Sequence, residues 1–126
     1  MKHYSSSKVE NLNVPQPDGW TPLHWAAQKG HLEIFKIVAE SKNVKNLNAA
    51  DPNGWTPLHW AAQNGHIEIL KFLAPKVENP NTPSTNGDTP LKIASKNNQT
   101  DVVSVLLKIL SEKVFSNSKA ILNTLQ

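Results

Sequence analysis

Asp18-Gly19-Trp20-Thr21-Pro22-Leu23-His24-Trp25-Ala26-Ala27-Gln28-Lys29-Gly30-His31 is a stretch that the chain writes more than once. It returns as Asn53-Gly54-Trp55-Thr56-Pro57-Leu58-His59-Trp60-Ala61-Ala62-Gln63-Asn64-Gly65-His66. A weaker third copy reads Asn86-Gly87-Asp88-Thr89-Pro90-Leu91-Lys92-Ile93-Ala94-Ser95-Lys96-Asn97-Asn98-Gln99. Thr21 and Thr56 are 35 residues apart, Thr56 and Thr89 33. A second element keeps the same phase: Val9-Glu10-Asn11-Leu12-Asn13, Val44-Lys45-Asn46-Leu47-Asn48 and Val77-Glu78-Asn79-Pro80-Asn81 each end eight residues before a Thr-Pro pair. The period therefore spans a whole structural unit, and periods of this size mark stacked repeats.

Each part of the unit has a physical task. Thr accepts from orphan amides at a helix start, and Pro in the first turn lacks an N–H that would be orphaned anyway. Leu23, Ala26 and Ala27 recur at helical spacing, and the small alanines let a neighbouring helix come close. Gly30 and Gly65 stand where a short helix has to stop in a left-handed conformation. Leu32-Glu33-Ile34-Phe35-Lys36-Ile37-Val38 and Ile67-Glu68-Ile69-Leu70-Lys71-Phe72-Leu73 then carry the apolar stripe of a second helix, which Pro75 ends in the second copy. The Asn/Pro/Asp/Gly-rich stretches between units are turn chemistry.

Composition excludes several classes of function. The chain has 126 residues, 38% of them apolar, enough for one modest core. It has no cysteine, which removes disulfide scaffolds, thiolate metal sites and a cysteine nucleophile. The net charge is +3, and all 13 basic residues are lysine. Without arginine's planar fork, and with lysines interleaved among acids, a nucleic-acid reading is weak. The longest mainly apolar stretch, Val102 to Leu110, falls far short of the ~20 residues of a membrane span, and Met1 to Lys8 has no apolar segment of the kind a secretory signal needs. These features predict a small monomeric domain in the cytoplasm or nucleus, not inserted in a membrane.

Thr-Pro-Leu-His-Trp-Ala-Ala with Gly-His downstream, at a period of about 33 residues, resembles the ankyrin repeat. The resemblance covers roughly residues 9 to 110 and is strongest in the first two copies. It implies an all-α solenoid: two antiparallel helices per repeat, with a hairpin-like finger projecting at right angles. On this reading 8–15 is the tail of a preceding repeat, 16–50, 51–83 and 84–113 are three repeats, and 114–126 is a C-terminal cap. Residues 1–8 are too short to supply the helices of that preceding repeat. The family's finger opens with Asp, as at Asp51, but Gln16 and Ser84 stand at the equivalent positions. The third copy also replaces the motif histidine with Lys92, the second Ala with Ser95 and Gly-His with Asn98-Gln99; Asn tolerates the left-handed turn. Val114, Phe115, Ile121, Leu122 and Leu125 are expected to form an amphipathic helix that covers the last repeat.

No residue set reads as catalytic. His24/His31 and His59/His66 recur seven apart, but a glycine interrupts each pair and no clustered carboxylate or thiolate completes a metal site. In the resembled family the Thr-Pro-Leu-His histidine hydrogen-bonds within the finger framework. There is no Gly-x-Ser-x-Gly elbow and no phosphate loop, and Asp51-Pro52-Asn53-Gly54 is too short for a calcium loop. Asn98-Gln99-Thr100 is a sequon with meaning only in a secreted chain. No enzyme activity, cofactor or metal is expected.

The tryptophans carry the functional expectation. Trp20 and Trp55 precede Thr-Pro in the fingers, where there is little core to pack, and stacking predicts them ~10 Å apart on one face. Trp25 and Trp60 lie on the first helices, away from Leu23 and Leu58. All four have two readings, packing between repeats or anchoring a partner, and both stand at this point. The candidate partner-binding set is Asp18, Trp20, Trp25, Lys29, Asn53, Trp55, Trp60, Asn64, Asp88 and Lys96. The function implied is a protein–protein interaction module that takes a protein or peptide along the finger tips and concave helix face. The alternative is a regulatory or spacer segment of a longer enzyme, channel or effector.

Overall fold

The computed structural model describes residues 17–41 and 46–125. Six α-helices follow one another: α1 (Pro22–Lys29), α2 (Leu32–Ala39), α3 (Pro57–Asn64), α4 (Ile67–Leu73), α5 (Pro90–Lys96) and α6 (Thr100–Thr124), with a 3₁₀ turn, Ala74–Lys76, after α4. They form three antiparallel pairs whose first helices stack in the order α1, α3, α5. No strand forms among the described residues. The fingers are hairpin-like turns: the Asp51 N–H donates to the Trp55 carbonyl at 2.8 Å, and Ser84 repeats the bond to Asp88 at 2.8 Å.

Local chemistry explains why each pair forms. Thr21, Thr56 and Thr89 are N-caps in extended backbone, each followed by Pro in the first turn. The motif histidine closes a capping box. Nδ1 of His24 accepts from the Thr21 N–H at 3.0 Å, and His59 does the same for Thr56 at 2.9 Å. Gly30 and Gly65 end α1 and α3 at φ 77 and 72, and Asn98, at φ 57, takes the same conformation after α5. Pro75, within the 3₁₀ turn, stops α4 after seven residues.

The core is one continuous cluster. Leu23, Ala27, Phe35, Leu58, Ala62, Leu70, Leu73 and Leu106 are fully buried. Phe35 of α2 meets Phe72 of α4 edge to face at 6.1 Å between ring centroids. Polar ties cross the same boundaries. The Gln28 carbonyl accepts from His66 Nε2 at 3.0 Å, and the Gln63 carbonyl accepts from Gln99 Nε2 at 3.1 Å. Gln99 thus makes the bond that histidine makes one repeat earlier, so the substitution keeps the tie.

The segment 8–15 and Gln16 lie outside the described residues. The expected cover over the last repeat does not form: Val114, Phe115, Ile121 and Leu122 continue α6 outward as one 25-residue helix with Leu125 as its C-cap, and all five are exposed. The physical reason is the missing turn. Nothing between Leu110 and Val114 stops a helix, so the chain continues straight instead of folding back over α5 and α6.

Candidate functional site

The four indoles form one line. Trp20 meets Trp25 at 5.5 Å and Trp60 at 4.8 Å between centroids, and Trp60 meets Trp55 at 4.6 Å. The order is therefore Trp25, Trp20, Trp60, Trp55, alternating helix, finger, helix, finger across the boundary between the first two repeats. Trp60 stands between the two finger tryptophans. Trp20, Trp55 and Trp60 are half-buried, and Trp25 at the end of the line is 49% exposed with Lys29 Nζ 5.6 Å from its ring centre. The finger tryptophans are thus not free of packing: each contacts Trp60, and Trp20 and Trp55 lie against the rings of His24 and His59.

Buried polar groups hold the ladder in place. Asp51 is buried; its Oδ1 accepts from the N–H groups of Asn53 at 2.9 Å and Trp55 at 3.0 Å, while Oδ2 accepts from the Trp60 indole N–H at 3.2 Å. One carboxylate therefore shapes the finger and orients a ladder ring. Sequence reasoning did not include Asp51 among the site residues. Its place as the finger-opening Asp was the available signal. His24 fixes the other side: Nε2 donates to the Trp55 carbonyl at 3.0 Å. His59 makes the same bond to the Asp88 carbonyl at 2.8 Å. With Nδ1 accepting and Nε2 donating, both imidazoles are neutral Nε2–H tautomers. Burial pushes both below the ordinary imidazole value, outweighing the backbone carbonyls and Asp51, which pull the other way.

The other candidate residues divide by position. Asp18, Trp25 and Lys29 line a groove of about 820 Å³ on the first repeat, with Pro17, Pro22, Ala26, His31 and Ile34. Asn53 and Asn64 serve repeat-to-repeat bonds: the Asn53 carbonyl accepts from the Thr85 N–H at 3.1 Å, and Asn64 Nδ2 donates to the Gln28 carbonyl at 3.0 Å. Asp88 and Lys96 form an exposed ion pair at 3.2 Å in the third repeat, with Lys92 at 3.7 Å. They stand away from the ladder, because Asp88 and Ile93 occupy the positions held one repeat earlier by Trp55 and Trp60. Among the described residues no three His, Cys, Asp or Glu side chains group as metal ligands, and no helix is long and apolar enough to cross a membrane.

Stacked helix pairs, turn-like fingers and a histidine binding each pair to the next finger define a helical repeat solenoid. A family model described as ankyrin repeats in three copies matches residues 2–84 and 42–120. The chain belongs to the ankyrin-repeat family. Ankyrin repeats are general protein–protein interaction modules, and the family is typically non-enzymatic. No curated protein matches the chain.

Proposed function

We propose that this chain binds an extended segment of another protein along the ladder Trp25–Trp20–Trp60–Trp55. The observation that carries the reading is the ladder itself: four aromatic rings in contact across a repeat boundary, with the end ring half exposed beneath a lysine. Indoles already fixed by Asp51 and by packing lose little conformational freedom on binding, and rigid aromatics of this kind dominate interface energies. Asp18 and Asn53 at the finger tips, with Lys29 and Asn64 at the ends of the first helices, supply the polar rim. Asp88 and Lys96 extend that rim into the third repeat, where the aromatic line stops.

Trp25 is the test residue, because it is the most exposed of the four. Peptides selected on the wild-type chain from a displayed library should bind Trp25→Ala at least tenfold more weakly, about 1.4 kcal/mol. The melting temperature should hold, and the wild-type indole emission should shift on binding. Selected peptides that bind both proteins equally would remove the ladder from the site.

A second reading has its own observation. Ile34 is 52% exposed, whereas its counterpart Ile69, in the unit that has a helix pair before it, is 1% exposed. On that reading a further helix pair stacks on the first repeat, and the chain is a regulatory or spacer stretch of a longer protein. The mass of the protein isolated from its natural source decides between the two.

A further inference from the structure

The outer half of α6 turns its polar side to its own solenoid. Glu112, Lys113, Ser116 and Asn117 line a cleft against Pro75 and Glu78, and Lys113 Nζ donates to the Pro75 carbonyl at 3.2 Å. At 3.6 residues per turn, Val114, Phe115, Ile121, Leu122 and Leu125 fall on the opposite side. All five are between 60 and 77% exposed. The chain's own nearest surface is therefore taken by the polar face, and the apolar face points away from it. A helical extension of this length is marginal in water without packing, so the stripe needs a cover.

We propose that the cover is the same stripe of a second copy, forming an antiparallel two-helix contact centred on Ser118. The stripe is self-complementary in that orientation. A two-fold axis at Ser118 sets Val114 opposite Leu122, Phe115 opposite Ile121, and Ser111 opposite Leu125. The smallest side chains, Ser118 and Ser118, meet at the crossing, where close approach is needed. Charge does not oppose the contact: the stripe holds no ionisable side chain, and Lys113 and Asn117 stay on the opposite, polar face. A large apolar side chain at this exposure covers roughly 100 Å², so five from each copy bury on the order of 1,000 Å², near the threshold for a specific interface. The contact is isologous and closes at two copies. It departs from the monomer expected from the sequence and lies on a different element from the tryptophan ladder.

Sedimentation and cross-linking of the full chain test this directly. The wild type should pass from monomer to dimer as its concentration rises to about 100 µM, and Phe115→Glu should stay monomeric with an unchanged circular-dichroism melt of the repeats. The chain has no cysteine, so single introduced thiols report register cleanly. Under mild oxidation Ser118→Cys should give a disulfide-linked dimer in high yield and Ser111→Cys should not. A wild type that is monomeric throughout overturns the proposal. Equal cross-linking of both cysteine variants overturns the antiparallel register, and a Phe115→Glu protein that still dimerises places the contact elsewhere.

Discussion

His24 and His59 are the residues on which helix start and finger position both depend. Each spends Nδ1 on a cap and Nε2 on the next finger's carbonyl. Protonating Nδ1 removes the acceptor that the threonine N–H needs. The folded state holds both imidazoles neutral, below the ordinary value of 6.5. Between the lowered value and 6.5 the unfolded chain binds more protons, so stability is full above about pH 6.5 and falls as pH drops below it. Urea midpoints measured from pH 7.5 to 5 should therefore decline, and the His24→Gln/His59→Gln protein, weaker at pH 7.5, should give a flatter profile. Parallel profiles would assign the decline to other groups. Gly30 gives a second test at this scale. A Cβ there meets the His66 ring at 2.6 Å, and that ring is held by the Gln28 carbonyl; at Gly65 the neighbour is the flexible end of Gln99 at 2.7 Å. Both alanine variants bear the left-handed strain of ~1–2 kcal/mol. Gly30→Ala should lose more stability than Gly65→Ala by chemical denaturation. Both neighbours are tied to a carbonyl of the preceding repeat, but the rigid imidazole has fewer torsions with which to yield than the longer Gln99 side chain.

α6 is the element where sequence and structure part. The Thr-Pro-Leu-His units announce their own helices, because cap, first-turn proline and terminal glycine act within a few residues of each other. The core positions followed too, since Leu23 and Leu58 repeat with the period. Beyond Leu110 the apolar pattern told only that a helix has one apolar side, not what lies against it. The tryptophan ladder was legible in its members but not in its order, because alternation of finger and helix rings arises only when two repeats stack. The exposed stripe leads to a prediction opposite to a capping role. Deleting 114–126 removes little buried surface, so the unfolding free energy of dilute protein should change by less than ~0.5 kcal/mol. Solubility should rise, since Phe115, Ile121, Leu122 and Leu125 no longer face water. A clear loss of stability in the dilute truncated protein would mean that the stripe packs on its own repeats.

Across the whole molecule, stability is a sum of repeat and interface contributions, and three repeats lie near the minimum for a solenoid. Position in the array should then matter more than residue type. Leu23, Leu58 and Leu91 hold the same motif place, yet Leu58 is fully buried in the central unit, between neighbours on both sides, while Leu91 in the last unit is only half-buried. Leu58→Ala opens a cavity in the central unit and should cost ~2–5 kcal/mol. Leu91→Ala removes a side chain that is only half-buried and should cost clearly less, on the order of 1 kcal/mol. The consequence for cooperativity is as informative as the size. Because the central unit joins both ends, weakening it should separate the unfolding of the first repeat from that of the third. The tryptophans make this visible: all four lie in the first two repeats, so indole fluorescence follows that half, while circular dichroism also follows α5 and α6. In wild type and in Leu91→Ala the two signals should coincide. In Leu58→Ala the fluorescence transition should come first. Coincident transitions in all three proteins, with equal losses for the two leucines, would mean that the repeats do not act as separate units joined at the centre.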